Sequence, residues 1–320
     1  MTKKIIPLIC ALLISTSVFS QKKKVYKTFK TDNLSTYDIC FSKKGGVLAA
    51  TDDKNIKVFS TKNQSLLSEF KNGHTNRILA IDISNDSTLL VSGGLDSTII
   101  VWDFVQNKIL KTLKFQKSVI TSLKLSPDAK FLLSGGSDGK AYLYDLNEDK
   151  LVSIFENHSG EITALKFSSD GRFLATAGTD KNIIIYSGDN YKTYNVLKGH
   201  KKWVRDICFN SNMTKLISCG DDSQLISWNI SNLSKAIKIS SMRIDGWLLC
   251  LDLNEDDKTF ITGNENGTVN IQGTFYKNSV QLNSCINKVL FVPHTGALLK
   301  FVVATLGKGL LIVDTKDLKN

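Results

Sequence analysis

Apolar and polar positions alternate with a period of two in short runs along this chain. One example is Ile162-Thr163-Ala164-Leu165-Lys166-Phe167, followed after Ser168-Ser169-Asp170-Gly171 by Phe173-Leu174-Ala175-Thr176. Side chains of a strand point alternately to its two faces, so such runs between Gly, Asn, Asp and Ser clusters read as antiparallel strands joined by turns. Outside the N-terminal leader no window carries the 3.6-residue period of an amphipathic helix, and the pattern predicts an all-β chain.

The runs also recur as blocks. "SGGLDSTIIVWD", Ser92 to Asp103, returns as "AATDDKNIKVFS", "SGGSDGKAYLYD", "TAGTDKNIIIYS" and "SCGDDSQLISWN", then in weaker form as "TGNENGTVNIQG" and "VATLGKGLLIVD". Aligned on the tryptophan, the equivalent positions are Phe59, Trp102, Tyr144, Tyr186, Trp228, Gln272 and Val313, which defines seven units of about 42 residues. Four strands in each such unit are the signature of a β-propeller, in which no unit covers both faces of its sheet until neighbours pack on it. "KVYKTFK" at 24 to 30 matches "KILKTLK" at 108 to 114, so the segment at the N-terminal end reads as a fourth strand without its first three. The C-terminal unit stops soon after its third.

Gly73-His74 leads to Trp102-Asp103 and Gly199-His200 to Trp228-Asn229, with Asn157-His158 a near copy. On these residues the chain resembles the WD-repeat (WD40) family from about residue 24 to 314, most closely in units two to five. The resemblance implies a seven-bladed propeller of four-stranded antiparallel blades, its N-terminal strand completing the last blade and leaving no open sheet edge. It also implies buried hydrogen-bonded tetrads: His74, Ser92, Asp96 and Trp102 in unit two; His158, Thr176, Asp180 and Tyr186 in unit four; and His200, Ser218, Asp222 and Trp228 in unit five. Unit one lacks the histidine and has Ala49 where a serine is expected, while Asn266 and Gly307 replace the turn aspartate in units six and seven.

Ser, His and Asp in contact also describe a hydrolase triad. The set occurs three times at matching offsets, and that favours a structural role. "GGSDG" at 135 to 139 fits G-x-S-x-G but leads into a strand, whereas a nucleophile elbow leads into a helix. No HExxH, phosphate-binding loop or dinucleotide fingerprint is present. Neither catalytic residues nor a metal site nor a cofactor are expected.

Function is then expected on the exposed faces of the ring. The resemblance places partner contacts around the channel entrance, at Arg77, Leu79 and Leu95 in unit two and at Trp203, Arg205 and Asp221 in unit five. Matching positions elsewhere are Tyr37, Thr121, Glu161, Thr163, Trp247 and Leu249. Tyr37, Arg77, Leu79, Trp203, Arg205 and Trp247 are the candidate partner-binding residues, since Trp, Tyr and Arg dominate interface hot spots. A protein or peptide partner is expected. A propeller enzyme with a channel-mouth site and a polyanion-binding module are the alternatives.

The 320 residues are 42% hydrophobic and carry a formal charge of +11. Their lysines are scattered along strands and turns, as a solvated surface requires, so a nucleic-acid partner is not expected. Residues 1 to 20 combine Lys3 and Lys4, an apolar run from Ile5 to Ile14, and Val18-Phe19-Ser20, the layout of a secretory signal peptide. Cleavage near Ser20 and export to the periplasm or exterior are expected, with residues 21 to 320 forming a single monomeric propeller. Membrane tethering by an uncleaved leader is the alternative, because Lys22-Lys23-Lys24 follow the apolar run. Cys40, Cys208, Cys219, Cys250 and Cys285 show no C-x-x-C spacing and read as small core residues.

Overall fold

The third strand of each unit is apolar at most positions, as in Ile99–Asp103 (IIVWD) and Asn182–Ser187 (NIIIYS), and such a strand needs cover on both faces. The structure, a computed structural model, describes residues 26–232, 235–273, 277–295 and 299–318. It covers both faces by standing seven four-stranded antiparallel sheets around a central channel. The blades comprise residues 39–70, 78–113, 120–155, 162–198, 204–243, 248–281 and 286–314. No α-helix occurs among the described residues, and Thr315–Leu318 form a 3₁₀ turn. The leader and its cleavage site lie outside the described residues.

Seven apolar clusters join each blade to the next, the last one joining blade 7 to blade 1 through Val302, Leu310, Ile312, Phe29, Leu48 and Phe59. The strand Tyr26–Thr28 pairs antiparallel with Gly309–Asp314, placing Tyr26 opposite Val313 and Thr28 opposite Leu311. Phe29 continues this edge by donating its N–H to Leu310 O at 3.0 Å. Its ring lies 5.2 Å from Phe59. The N-terminal strand thus supplies the fourth strand of blade 7, as expected.

One irregularity positions the site. The first strand of blades 2 to 7 slips register by one residue against the second, skipping Leu79, Thr121, Thr163, Arg205, Leu249 and Asn287. A bulge of this kind re-aims its extra side chain, and here all six line the channel mouth together with Tyr37 of blade 1.

Candidate functional site

In blade 2, His74 Nδ1 lies 3.0 and 3.1 Å from the Asp96 carboxylate and Nε2 lies 2.7 Å from Ser92 Oγ, which also accepts the Trp102 indole N–H at 2.8 Å. An ionised carboxylate only accepts, so Nδ1 carries the proton and Nε2 takes the serine hydroxyl's. Burial lowers the affinity of His74 for a second proton. Burial also pushes Asp96 up, but His74 and the amides of Thr75 and Thr98 more than offset this and hold it below the ordinary carboxylate range. His200, Asp222, Ser218 and Trp228 repeat these contacts in blade 5. Ser92 and Ser218 are fully buried, and each hydroxyl is engaged by both histidine and indole. These groups hold the blade together and leave no approach to a substrate.

Blade 4 shows how the motif's parts depend on one another. A Cβ on Gly73 or Gly199 would come within 2.4 or 2.8 Å of the tryptophan ring, so glycine before histidine goes with tryptophan. Where tyrosine replaces it, Asn157 fits and its Oδ1 accepts the Tyr186 hydroxyl at 3.2 Å. His158 still bonds Asp180 at 2.9 Å and Thr176 at 2.7 Å.

Sequence reading missed two networks. In blade 3 Gln116 stands at the histidine position, with Oε1 accepting from Ser134 Oγ at 2.9 Å; its offset of 18 residues equals that of His74 to Ser92 and was a usable signal. In blade 1 the buried Lys57 ammonium bridges Asp32 at 2.6 Å and Asp52 at 3.1 Å. The sheet register corrects one assignment: Ala50 pairs with Ile39 as Ser92 pairs with Ile81, so Ala50 rather than Ala49 replaces the serine. The reason is a hairpin one residue shorter in blade 1, where Asp52 pairs with Asn55.

At the mouth, Tyr37, Leu79 and Arg205 line the opening with Thr121, Glu161, Thr163, Leu249 and Asn287. Arg77 donates to the Tyr37 hydroxyl at 2.9 Å and covers its ring at 5.0 Å. Arg205 stacks 4.7 Å from the Trp203 ring while both its Nε and Nη2 donate to Asp221, at 2.7 and 2.8 Å. Trp203 and Trp247 are 46% and 47% exposed on the rim, and Lys202 reaches over Trp247 at 5.7 Å. Leu95 is exposed as well. Thr121 and Thr163 have a structural task, donating to Ile162 O at 2.5 Å and to Val204 O at 2.6 Å and so tying their blade to the next.

Below the mouth the channel is charged. Lys124 pairs with Asp82 and Lys288 with Asp206, each at 2.7 Å. Burial raises Asp38, and it pushes Asp252 up to about 6. Burial, reinforced by repulsion from Lys288 and Lys124, lowers Lys166. Asp38, Asp82, Asp206 and Asp252 accept amides of Ile81, Leu125, Leu251 and Phe291 from following blades, so the channel charges fasten the ring. The five cysteines among the described residues are free thiols, four of them buried.

Comparison with known proteins agrees with this architecture. The family model described as WD domain, G-beta repeat matches residues 64–103, 107–145, 149–187 and 191–229. Each match starts at the outer strand of one blade and ends with the third strand of the next, so every sequence repeat bridges two blades. Transducin-like enhancer protein 2 of Mus musculus is 34% identical over 83 residues, covering 26% of this chain and 10% of that protein. The match spans about a tenth of the length of this curated relative. Repeats, tetrads and ring closure together make this chain a member of the WD40-repeat family, with seven blades.

Proposed function

We propose that the chain is a non-catalytic interaction platform that holds a protein or peptide partner on the face around the channel mouth. The observation carrying this reading is the pair of half-exposed tryptophans, Trp203 and Trp247, each with a cation over its ring. A rigid ring loses little entropy in presenting such residues, and large amphipathic side chains beside Arg are the commonest interface anchors. Tyr37 and Arg77 hold one another in place on the opposite side of the opening, while Leu79 supplies apolar surface within it. The tetrad histidines are buried and fully bonded, which supports a binding role over a hydrolytic one. The leader at residues 1 to 20 supports export of this platform from the cytoplasm.

The test is capture of partners from an extract of the source cell by wild type and by the variant Trp203→Ala/Arg205→Ala/Trp247→Ala, compared by quantitative mass spectrometry. The variant is expected to lose the proteins enriched by wild type while its Tm falls by no more than a few degrees. Unchanged capture overturns the reading.

A further inference from the structure

The seven apolar clusters between blades are not filled alike. Two residues beyond the tryptophan position, Leu146 packs into the cluster between blades 2 and 3 with Leu89, Val101, Leu125 and Leu132. Ile230 does so between blades 4 and 5 with Phe173, Ile185, Phe209 and Leu216, and Phe104 between blades 1 and 2. Between blades 3 and 4 the matching residue is Gly188. The side chains that would have surrounded it, Phe131, Leu143, Phe167 and Leu174, instead line a cavity of about 310 Å³.

A second glycine keeps the cavity open. Gly171 occupies the turn position where blades 2, 3 and 5 carry Ser87, Ala129 and Met213, all with φ between 57 and 59° as against 72° at Gly171. A Cβ there would meet nothing nearer than 3.9 Å. Tyr191, in a left-handed conformation with φ 58°, forms part of the wall; a bulky side chain in that region is a rare choice.

The rim of this cavity is acidic in a chain of formal charge +11. It holds Asp128, Asp170 and Asp189 against Arg172, which is already tied to Asp170 at 2.7 Å. Burial raises Asp128 and Asp170, but hydrogen bonds from Ser126 and Ser168 and from backbone amides outweigh it and keep both ionised. The Asp189 carboxylate has no bonding partner among the described residues. Because the first strand of a blade runs away from the channel mouth, the turns carrying these residues lie on the opposite face of the ring.

We propose that this inter-blade cavity is a second docking site, which takes one large apolar side chain of a partner peptide whose neighbouring Lys or Arg residues pair with Asp128, Asp170 and Asp189. Aromatic walls with a few carboxylates at the opening suit an apolar anchor flanked by cations and repel the same anchor flanked by acids. The site is independent of the channel mouth.

Fluorescence anisotropy with a labelled GRFKG peptide and the control GEFEG tests this. GRFKG is expected to bind saturably and more weakly as salt rises, while GEFEG does not bind. Gly171→Met, which copies Met213 and fills the cavity, should weaken GRFKG about tenfold or more while the left-handed backbone at this position lowers Tm by no more than a few degrees. Asp128→Asn/Asp189→Asn should weaken it several-fold and flatten the salt dependence; this pair decides the matter if Gly171→Met disturbs folding. The channel-mouth triple variant should bind GRFKG as wild type does. Equal binding of GEFEG, wild-type affinity in both cavity variants, or no saturable binding of GRFKG at millimolar concentration overturns the proposal.

Discussion

Blades 5 and 6 are neighbours with the same strand order and the same bulge, after Val204 and after Leu248, yet their interiors differ. Blade 5 holds His200, Asp222, Ser218 and Trp228 in a closed network. Blade 6 has Ile244, Asn266, Thr262 and Gln272 at those positions. Asn264 takes over part of the task, its Nδ2 donating to Asp245 O and its Oδ1 accepting from Asn270 at 3.3 Å. The buried Thr262 hydroxyl has no hydrogen-bond partner among the described residues. The backbone reaches the same geometry either way, so apolar packing between blades makes the ring and the tetrad reinforces it. Blade 7 carries this further, with Leu282, Val303 and Val313 all apolar and buried.

The difference can be broken most forcefully at the indole. Trp228→Ala removes a buried ring and a bond to Ser218, and is expected to cost about 3–5 kcal/mol in urea unfolding, whereas Gln272→Ala in blade 6 should cost under about 1 kcal/mol. Equal costs would mean that the tetrad adds nothing. Next, Ser218→Ala strands both the His200 Nε2 and the Trp228 N–H and should cost about 2–3 kcal/mol by the same measurement.

The channel sharpens the contrast. Asp206 of blade 5 has Lys288 at 2.7 Å, but Asp252 of blade 6 has a backbone amide and titrates at about 6 in the fold against an ordinary 3.8. The folded state therefore binds the extra proton between these values, and the cost of ionising Asp252 grows as pH rises from 3.8 through 6. Asp252→Asn is expected to stabilise the protein by about 2 kcal/mol at pH 7.5 and by almost nothing at pH 4; a gain independent of pH would contradict the assignment. The smallest effect concerns the orphaned hydroxyl. Thr262→Val should leave stability unchanged or raise it by about 1 kcal/mol, opposite in sign to Ser218→Ala.

Contacts within one repeat could be found in the sequence because their separations are fixed by the strand and turn lengths. Histidine to Ser or Thr is always 18 residues, histidine to aspartate 22 and serine to tryptophan 10. The family resemblance implied the tetrad, these fixed offsets carried it onto three units, and the same arithmetic holds for Gln116 once histidine is not demanded. It failed at Ala50, where one residue is missing from a hairpin and the frame shifts. The mouth residues followed from the family resemblance, while the bulge that turns them inward is a matter of pairing register.

By itself the chain's alternation and 42-residue period determined seven four-stranded blades and a lone fourth strand before residue 31, whose place in the last blade the family resemblance implied and the pairing with Gly309–Asp314 bears out. Only the tertiary structure decided what meets across blades: Lys288 with Asp206, 82 residues away, Lys57 with Asp32 and Asp52 in place of a tetrad, and a cavity where Gly188 replaces a buried aliphatic residue. The physical reason is that strand pattern and turn chemistry are local, whereas charge pairing in the channel and space between sheets depend on the angle at which neighbouring blades are held.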